Sequence, residues 1–490
     1  MVALSLLGAM SLYAAPALPG VSPEDAKQIM PVSQVRRGMR GYGLTVFHGT
    51  KIEKFDFEVL GVLKKMNTGK DLILVRVGGG PITTRQTGII AGMSGSPCYV
   101  DGKLLGAIAW GRTFTKEPVG MITPIADMLE SWDDNLPKNA SGYSSPQPLS
   151  TPVSIGGKTV RKVAIDEDGS NPNAIDDGVL YMRPLMTPMA VGGLSERGME
   201  RLADILRPFH IKPVAGVSTG GERAGVKAEL VPGAAIGMSL ASGDIDMTGI
   251  GTVTYRRGNR IVAFGHPMLG IGAIDAPMTT AYIDDVISSY QESTKLGSPI
   301  KTVGRIFQDR PWSIAGALGN MPKTIPVTIE INDQASKRAR TYRVNIINHP
   351  LLASRLATMI VGEGISQMHP TPGDATAEVS YEVNADQIGK IKRSNVFFDA
   401  TAIDAASMMD VGSLLQILSA NRFYPLDIKS VNVKVKIIDK RNTAQIDRIF
   451  IKKSEYEPGE TGDVGVGLRP YKKDRVTKTF SVKIPATAPD

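Results

Sequence analysis

A serine in a tight, glycine-flanked turn is the part of this sequence with the clearest chemical potential. Residues 92–97 read GMSGSP and stand between two apolar, strand-like runs. Glycine permits turn conformations that a side chain would obstruct, so the turn can hold the Ser94 hydroxyl out as a nucleophile. Backbone N–H groups of the same turn could donate to a developing oxyanion. An ordinary structural turn between two strands is the other interpretation.

A histidine at the end of a second predicted hairpin could supply the base. Residues 251–255 predict a strand, residues 256–260 a basic turn, and residues 261–264 a second strand that leads through a glycine to His266. Such a rigid element can aim an imidazole, and activating a serine hydroxyl needs a side chain that titrates near neutrality. His48, in a hairpin-like turn before the serine, is the alternative base. The other histidines lie in loop-like contexts that suggest no role: His210, His349 and His369.

The two sites together resemble the sporulation stage IV protein B (SpoIVB) family of serine endopeptidases. The resemblance rests on GMSGSP followed by Asp-Gly-Lys-x-x-Gly-Ala at residues 101–107, and on a Gly-Thr-x-Thr strand leading into Gly-His at residues 251–266. Residues 41–46 and 55–60 are similar to the strands that precede the serine in such domains. The resemblance implies a chymotrypsin-like double barrel with Ser94 as nucleophile and His266 as general base. By analogy, the backbone N–H groups of Gly92 and Ser94 would form the oxyanion hole.

The sequence departs from this family pattern at two points. In the family the His element precedes the Ser element, whereas Ser94 comes first here, so the implied arrangement is permuted. Catalytic groups are defined by position and role in space, which permits that order. The family's orienting aspartate lies shortly before the serine turn, and Gly79 occupies the matched position. Asp71, Asp246 and Asp275 lie near the matched segments, but their contexts favour turns or strand edges, so the third member stays open.

Length and composition predict a mainly β fold of several domains. The chain has 490 residues, enough for about three domains, and its 52 glycines and 32 prolines suit many short connections. We expect a chymotrypsin-like double β-barrel with a few helices, plus a C-terminal β-sandwich-like domain. The expected order is a signal peptide (1–17), a Ser-bearing barrel unit (30–135), a Pro- and Ser-rich linker (136–152), a mixed segment with the His-bearing barrel unit (153–350), and an α+β or β-sandwich accessory domain (351–490).

Periodicity predicts individual elements within these domains. Apolar residues at helical spacing indicate a helix around residues 195–206, and further helices are expected over 125–132 and 405–420. Strict alternation of apolar and polar residues over 431–437 indicates a half-buried strand. The same alternation recurs over 464–468, and a final strand is expected over 477–484.

The N-terminal segment predicts export. An uncharged apolar run from Val2 to Leu12 precedes small residues at Ala15-Pro16-Ala17, which is typical of a secretory signal peptide and its cleavage site. The segment lacks a basic n-region, and a buried N-terminal helix is the alternative. We therefore expect a periplasmic or secreted protein, with no integral membrane segment after signal cleavage.

Charge and cysteine content exclude several classes of function. The net charge is +8, but the basic residues are dispersed among 48 acidic ones without interleaved aromatic residues, so nucleic acid is not an expected partner. Association with anionic envelope surfaces stays open. Cys98 is the single cysteine, and no His-Glu-x-x-His helix is present, so we expect no disulfide framework, no metal and no cofactor. Cys98 itself is expected to be buried on a strand.

Two functional hypotheses follow. In the first, the chain is an extracytoplasmic serine endopeptidase that cleaves peptide bonds in envelope or secreted proteins. Ser94 would attack the peptide carbonyl, and His266 would accept the serine proton. In the second, it is a catalytically inactive, protease-like scaffold that binds envelope proteins or peptides, which the absence of an acid at Gly79 favours.

Overall fold

The computed structural model describes residues 21–112, 117–133, 146–166, 171, 173–216, 225–289, 291–424 and 426–488. The expected signal peptide, residues 1–17, lies outside the described residues, as do residues 134–145 of the expected linker. The chain divides into two compact units. The first comprises Met1–Thr324 with Ile347–His349, and the second comprises Ile325–Ile346 with Pro350–Asp490. The fold is mainly β, as the sequence predicted.

The first unit begins with a closed barrel of six antiparallel strands. They pair in the order β1-β2-β3-β6-β5-β4, and β4 closes the barrel by pairing with β1 as well as β5. Alternating side chains such as Phe55, Phe57, Ile73 and Val75 point inward and form its core. The strands of the first barrel are β1 (Arg40–Val46), β2 (Ile52–Asn67), β3 (Lys70–Gly78), β4 (Ser96–Val100), β5 (Lys103–Gly111) and β6 (Val119–Pro124).

In the described residues, the strands that follow along the chain are β7 (Gln147–Ile155), β8 (Lys158–Ile165), β9 (Ile175–Asp176), β10 (Val179–Pro184), β11 (Thr187–Gly192) and β12 (Ile211–Ala215). Strand β10 extends the first sheet by pairing with β5 at Trp110 and Gly111. Residues 147–152 are therefore part of a strand and not of a linker. The reason is burial, because Leu149 and Val153 join the core that contains Trp110.

A second closed barrel of six strands completes the first unit. The pairings run β13-β14-β15-β18-β17-β16, and β16 pairs with β13 to close the cycle. The predicted double barrel is thus confirmed, with Ser94 before β4 of the first barrel and His266 after β15 of the second. The second barrel consists of β13 (Ala235–Gly243), β14 (Asp246–Arg257), β15 (Arg260–Ala263), β16 (Gly272–Ile287), β17 (Thr294–Arg310) and β18 (Ser313–Leu318).

Four α-helices accompany the barrels: α1 (Pro23–Ala26), α2 (Gly80–Thr84), α3 (Ile125–Leu129) and α4 (Glu196–Leu206). The helices expected over 125–132 and 195–206 are present. A 3₁₀ turn extends the first of them to Trp132, and the Ser195 hydroxyl caps the second by accepting the N–H of Gly198.

The second unit is β-rich and also carries two long helices. Its main sheet has the order β20-β19-β23-β21-β22, and the helices pack against each other, with α6 also contacting β21 and β22. The sequence left two arrangements open for this part of the chain, α+β and β-sandwich. The observed arrangement is α+β, because helices cover the sheet. The elements are β19 (Thr324–Asp333), β20 (Arg338–Ile347), α5 (Ala353–Met368), β21 (Ala375–Ala385), β22 (Gly389–Asp399), α6 (Ile403–Ser419) and β23 (Ile428–Ile438).

A separate three-stranded antiparallel sheet ends the chain, formed by β24 (Ala444–Ile451), β25 (Thr461–Pro470) and β26 (Val476–Lys483). Every residue of its two outer strands is exposed. None of the helices in the described ranges is both long and apolar enough to cross a membrane.

Candidate active site

The serine turn is closed by its own hydrogen bonds. The Met93 carbonyl accepts both the N–H and the hydroxyl of Ser96, at 2.9 and 2.6 Å. Gly92 and Gly95 have φ values of +94° and +93°, which a residue with a side chain adopts only with strain. Ser96 therefore shapes the turn, and its hydroxyl is already engaged.

Two threonines of the second barrel hold this turn in place. Thr252 and Thr254 lie two residues apart on β14, so their side chains share one face of the strand. The Thr252 hydroxyl donates to the Gly92 carbonyl at 3.1 Å, and the Thr254 hydroxyl donates to the Gly95 carbonyl at 2.7 Å. The Thr252 N–H also donates to the Ser94 carbonyl at 2.8 Å. The Gly-Thr-x-Thr pattern is the sequence signal for this clamp, although the pattern alone assigned the threonines no role.

The histidine loop is anchored on the first barrel. After β15 ends at Ala263, Phe264 and Gly265 both take positive φ, and His266 follows. The Gly265 carbonyl accepts the hydroxyl of Thr123 on β6 at 2.6 Å. A β-carbon added at Gly95 would collide with the Phe264 backbone, so the serine turn and the histidine loop lie directly against each other. The double barrel therefore brings Ser94 and His266 to one region.

The two candidate reactive atoms in this region lack a hydrogen-bond partner. Ser94 is 0% exposed and His266 is 1% exposed, and neither Ser94 Oγ nor His266 Nε2 makes a hydrogen bond. The two side chains are thus not hydrogen-bonded to each other in this structure. A buried polar atom without a partner costs about 1–3 kcal/mol, and such atoms call for an explanation. Two of them on adjoining loops mark a candidate reaction centre.

The other ring nitrogen of His266 fixes the tautomer. His266 Nδ1 lies 2.7 Å from the carbonyl oxygen of Pro267, which can only accept. Nδ1 must therefore carry the hydrogen, and the neutral ring presents a lone pair at Nε2. Burial lowers the pKa of His266 to about 4, with the Pro267 hydrogen bond acting in the opposite direction and nearby His210 adding to the decrease. The ring is consequently neutral at pH 7 and can accept a proton.

The predicted oxyanion donors are not used elsewhere in the described part of the chain. Met93, Gly95 and Ser96 each donate their backbone N–H to a carbonyl. No acceptor among the described residues receives the N–H of Gly92 or Ser94. These two groups are therefore available to a bound oxygen, which is the requirement for an oxyanion hole.

Lys295 is a buried cation beside the turn that the sequence did not indicate. It is 1% exposed on β17, its ammonium donates to the Thr45 hydroxyl at 2.7 Å, and its side chain lies against Gly92. Burial lowers the pKa of Lys295 to about 7. Lysines with such values act as bases in some serine hydrolases, so Lys295 is a second candidate base to be tested.

The other positions considered for the base and the acid make different contacts. His48 is exposed, with Nδ1 2.9 Å from the Asp284 carbonyl oxygen. Asp71 pairs with Lys64 at 2.7 Å. Gly79 has φ +80°, and the Asp56 carboxylate fills the space that a side chain there would need.

The other two aspartates also have structural contacts. Asp246 accepts the N–H of Gly243 at 3.1 Å, and Asp275 pairs with Arg305 at 3.4 Å. Cys98 is fully buried on β4, as expected, and burial raises the pKa of its thiol.

One cluster in the second unit has the residue types of a metal site. Asp333, His369 and Asp439 each offer an atom within 4.8 Å of the others, and no other such group occurs within the ranges that the structure covers. His369 Nδ1 lies 3.5 Å from Asp333 Oδ2 and 3.6 Å from Asp439 Oδ1.

Comparison with known proteins supports the resemblance seen in the sequence. Residues 20–129 match the family model described as SpoIVB peptidase S55. This part carries the first barrel and Ser94 and ends before His266, so the likeness to a serine peptidase family is confirmed for the serine-bearing part of the chain. No curated protein and no solved structure matches the chain.

Proposed function

We propose that the chain is an extracytoplasmic serine endopeptidase whose nucleophile is Ser94 and whose general base is His266. The observation that carries the proposal is the pair of buried, unpartnered atoms, Ser94 Oγ and His266 Nε2, on adjoining loops of two closed barrels. The family match over residues 20–129 supports a peptidase acting on protein.

The chemistry follows from the atoms present. Ser94 Oγ attacks the carbonyl carbon of a peptide bond while His266 Nε2 takes its proton. The carbonyl oxygen becomes an oxyanion and accepts the N–H groups of Gly92 and Ser94. His266 then returns the proton to the leaving amine, and water hydrolyses the acyl-enzyme by the same base. His266 Nδ1–H donates to the Pro267 carbonyl throughout, which keeps the ring oriented.

Ser94 and His266 are both buried, so the proposed site is closed in this arrangement. A peptide can reach Ser94 only after the covering residues move. The side chains of Pro188 and Lys295 lie against Gly92 of the serine turn. In this proposal, opening precedes hydrolysis, and a measured turnover would include the opening equilibrium.

A fluorophosphonate probe tests the nucleophile directly. We expect mass spectrometry to locate the adduct on Ser94 in the full chain, with labelling lost in Ser94→Ala. Ser131→Ala is the matched control, because Ser131 is another buried serine of the first unit whose hydroxyl already pairs with Ser313. Hydrolysis of an unstructured polypeptide should follow the same pattern. A folded chain that neither labels nor hydrolyses would overturn the proposal and leave the scaffold hypothesis.

We also propose that the protein is exported, with possible substrates limited to envelope or secreted proteins. The support is the apolar run from Val2 to Leu12 and the small residues ending at Ala17. N-terminal sequencing of the protein recovered outside the cytoplasm should find a chain that begins at Leu18. A cytoplasmic chain that retains Met1 would contradict export.

A further inference from the structure

A buried carboxylate is connected to His266 through a single peptide group. His266 Nδ1–H donates to the Pro267 carbonyl at 2.7 Å. The N–H at the other end of that peptide belongs to Met268, and it donates to Asp309 Oδ1 at 2.9 Å. The hydrogen bonds therefore run in one continuous line from the imidazole through the peptide to the carboxylate.

Burial and hydrogen bonds fix Asp309 in this position. It is 1% exposed near the end of β17, and its other oxygen accepts the N–H groups of Leu269 and Gly270 at 2.7 and 3.0 Å. Three N–H groups on one carboxylate hold residues 268–270 in a fixed turn directly after His266. Burial raises the pKa of Asp309 to about 6, while the three N–H groups and Arg310 act in the opposite direction, so the group is a carboxylate at pH 7.

The connecting group transmits charge because a peptide bond is conjugated. Resonance couples its N–H to its C=O, and hydrogen bonds in series polarise one another. An anion that accepts the Met268 N–H increases the negative charge on the Pro267 oxygen. This strengthens the bond from His266 Nδ1–H, most of all when His266 becomes an imidazolium. The arrangement serves the purpose of the acid in a Ser-His-Asp triad.

We propose that Asp309 is the acid member of this site, a positioning residue that acts on His266 through the Pro267–Met268 peptide. The inference rests on the proposed function and deepens it. It accounts for the missing acid at Gly79, because β17 supplies the carboxylate from the second barrel, the same barrel that carries His266. Asp309 orients the imidazole and stabilises its charged form without touching the ring.

Asp309→Asn tests the relay by removing the charge while keeping the side-chain shape. We expect kcat per labelled active site to fall about ten- to a hundredfold, with KM unchanged. A loss of this size is typical when a hydrogen-bonding group that orients a functional side chain is removed. Asp275→Asn is the matched control, since Asp275 also lies on the second barrel and accepts a backbone N–H, from Lys323. An Asp309→Asn enzyme with unchanged kcat would overturn the proposal. A purely structural role would lower the melting temperature and the labelled fraction but leave kcat per site unaltered.

A second measurement is made first on the wild-type chain. In the wild-type chain, the His266 Nδ1–H proton resonance should shift with a midpoint near pH 6, when Asp309 takes up a proton, and again near pH 4, when His266 itself does. The step near pH 6 should survive His210→Gln, which removes the nearby histidine that acts on His266. Its absence in wild-type protein would overturn the relay. Because the resonance is read without substrate, it tests the relay even if the chain fails to hydrolyse peptides.

Discussion

Two histidines of this chain differ in what surrounds them. His369, in the second unit, has two carboxylates within 3.6 Å of Nδ1 and no unpartnered nucleophile among its contacts. His266, in the first unit, has a neutral carbonyl at Nδ1 and an unpartnered Nε2 on a loop packed against the turn of Ser94. Direct contact with an acid therefore does not identify the candidate base. The candidate base is identified by the unpartnered Nε2 of His266, on a loop packed against the turn that holds the unpartnered Ser94 hydroxyl. The proposed acid, Asp309, is connected to His266 through one peptide group.

The largest expected effect separates the two histidines by activity. His266→Ala should lower kcat/KM on an unstructured polypeptide by about a hundredfold to ten-thousandfold, because it removes the general base. His369→Ala should leave kcat/KM within about twofold. Thermal unfolding of both variants controls for loss of fold. Comparable losses in the two variants would contradict the assignment.

The pH dependence of kcat/KM distinguishes His266 from Lys295 as base. Each must be neutral to accept a proton, so activity is lost as pH falls through its pKa. For His266 the complete loss is expected near pH 4, after a partial decline near pH 6 caused by protonation of Asp309. Asp309→Asn should remove only the decline near pH 6. If Lys295 were the base, activity would fall tenfold per pH unit below pH 7 in both proteins.

The close approach of the two loops can be broken at Gly95. A β-carbon there would meet the backbone of Thr252 and Phe264, and φ is +93°. Gly95→Ala should therefore destabilise the first unit by about 3 kcal/mol or more, as measured by urea unfolding. Gly102→Ala is the matched control. Its φ is +75° but its β-carbon would meet nothing within 4 Å, so about 1–2 kcal/mol is expected. Equal losses would show that packing between the loops adds nothing.

The smallest expected effect concerns Lys295 and stability. The pKa is about 7 in the folded chain and 10.5 in the unfolded chain, so the unfolded chain binds more protons between these values. Stability should rise with pH across that window, by up to about 1.4 kcal/mol per pH unit. Lys295→Met should remove this slope in urea unfolding at pH 7.5 to 9.5, whereas Lys301→Met, exposed on the same strand, should keep it. A slope unchanged in Lys295→Met would show that the buried ammonium does not control it.

The sequence pattern predicted helices and strands correctly where the buried residues recur with the period of the element. The apolar stripe of α4 predicted that helix, and strict alternation predicted β23. Helix α5 was missed, because it is apolar on most sides and so shows no amphipathic period. Residues 147–152 were misread as linker, because their prolines and serine suggested a connector, whereas the packing of Leu149 favours a strand.

In the same way, some features of the candidate site could be predicted from the sequence, whereas others depend on the tertiary structure. The sequence by itself determined that Ser94 lies in a tight turn. The glycines at positive φ and the Ser96 hydroxyl that closes the turn all lie within residues 92–97. It also determined the hairpin that ends at His266. Only the tertiary structure decided that the two loops meet, through Thr252 and Thr254, and that Asp309 supports His266. Asp309 lies about forty residues beyond the loop that it holds. The antiparallel pairing of β16 with β17, which sets Gly272 opposite Asp309, brings the two together, and no local pattern indicated it.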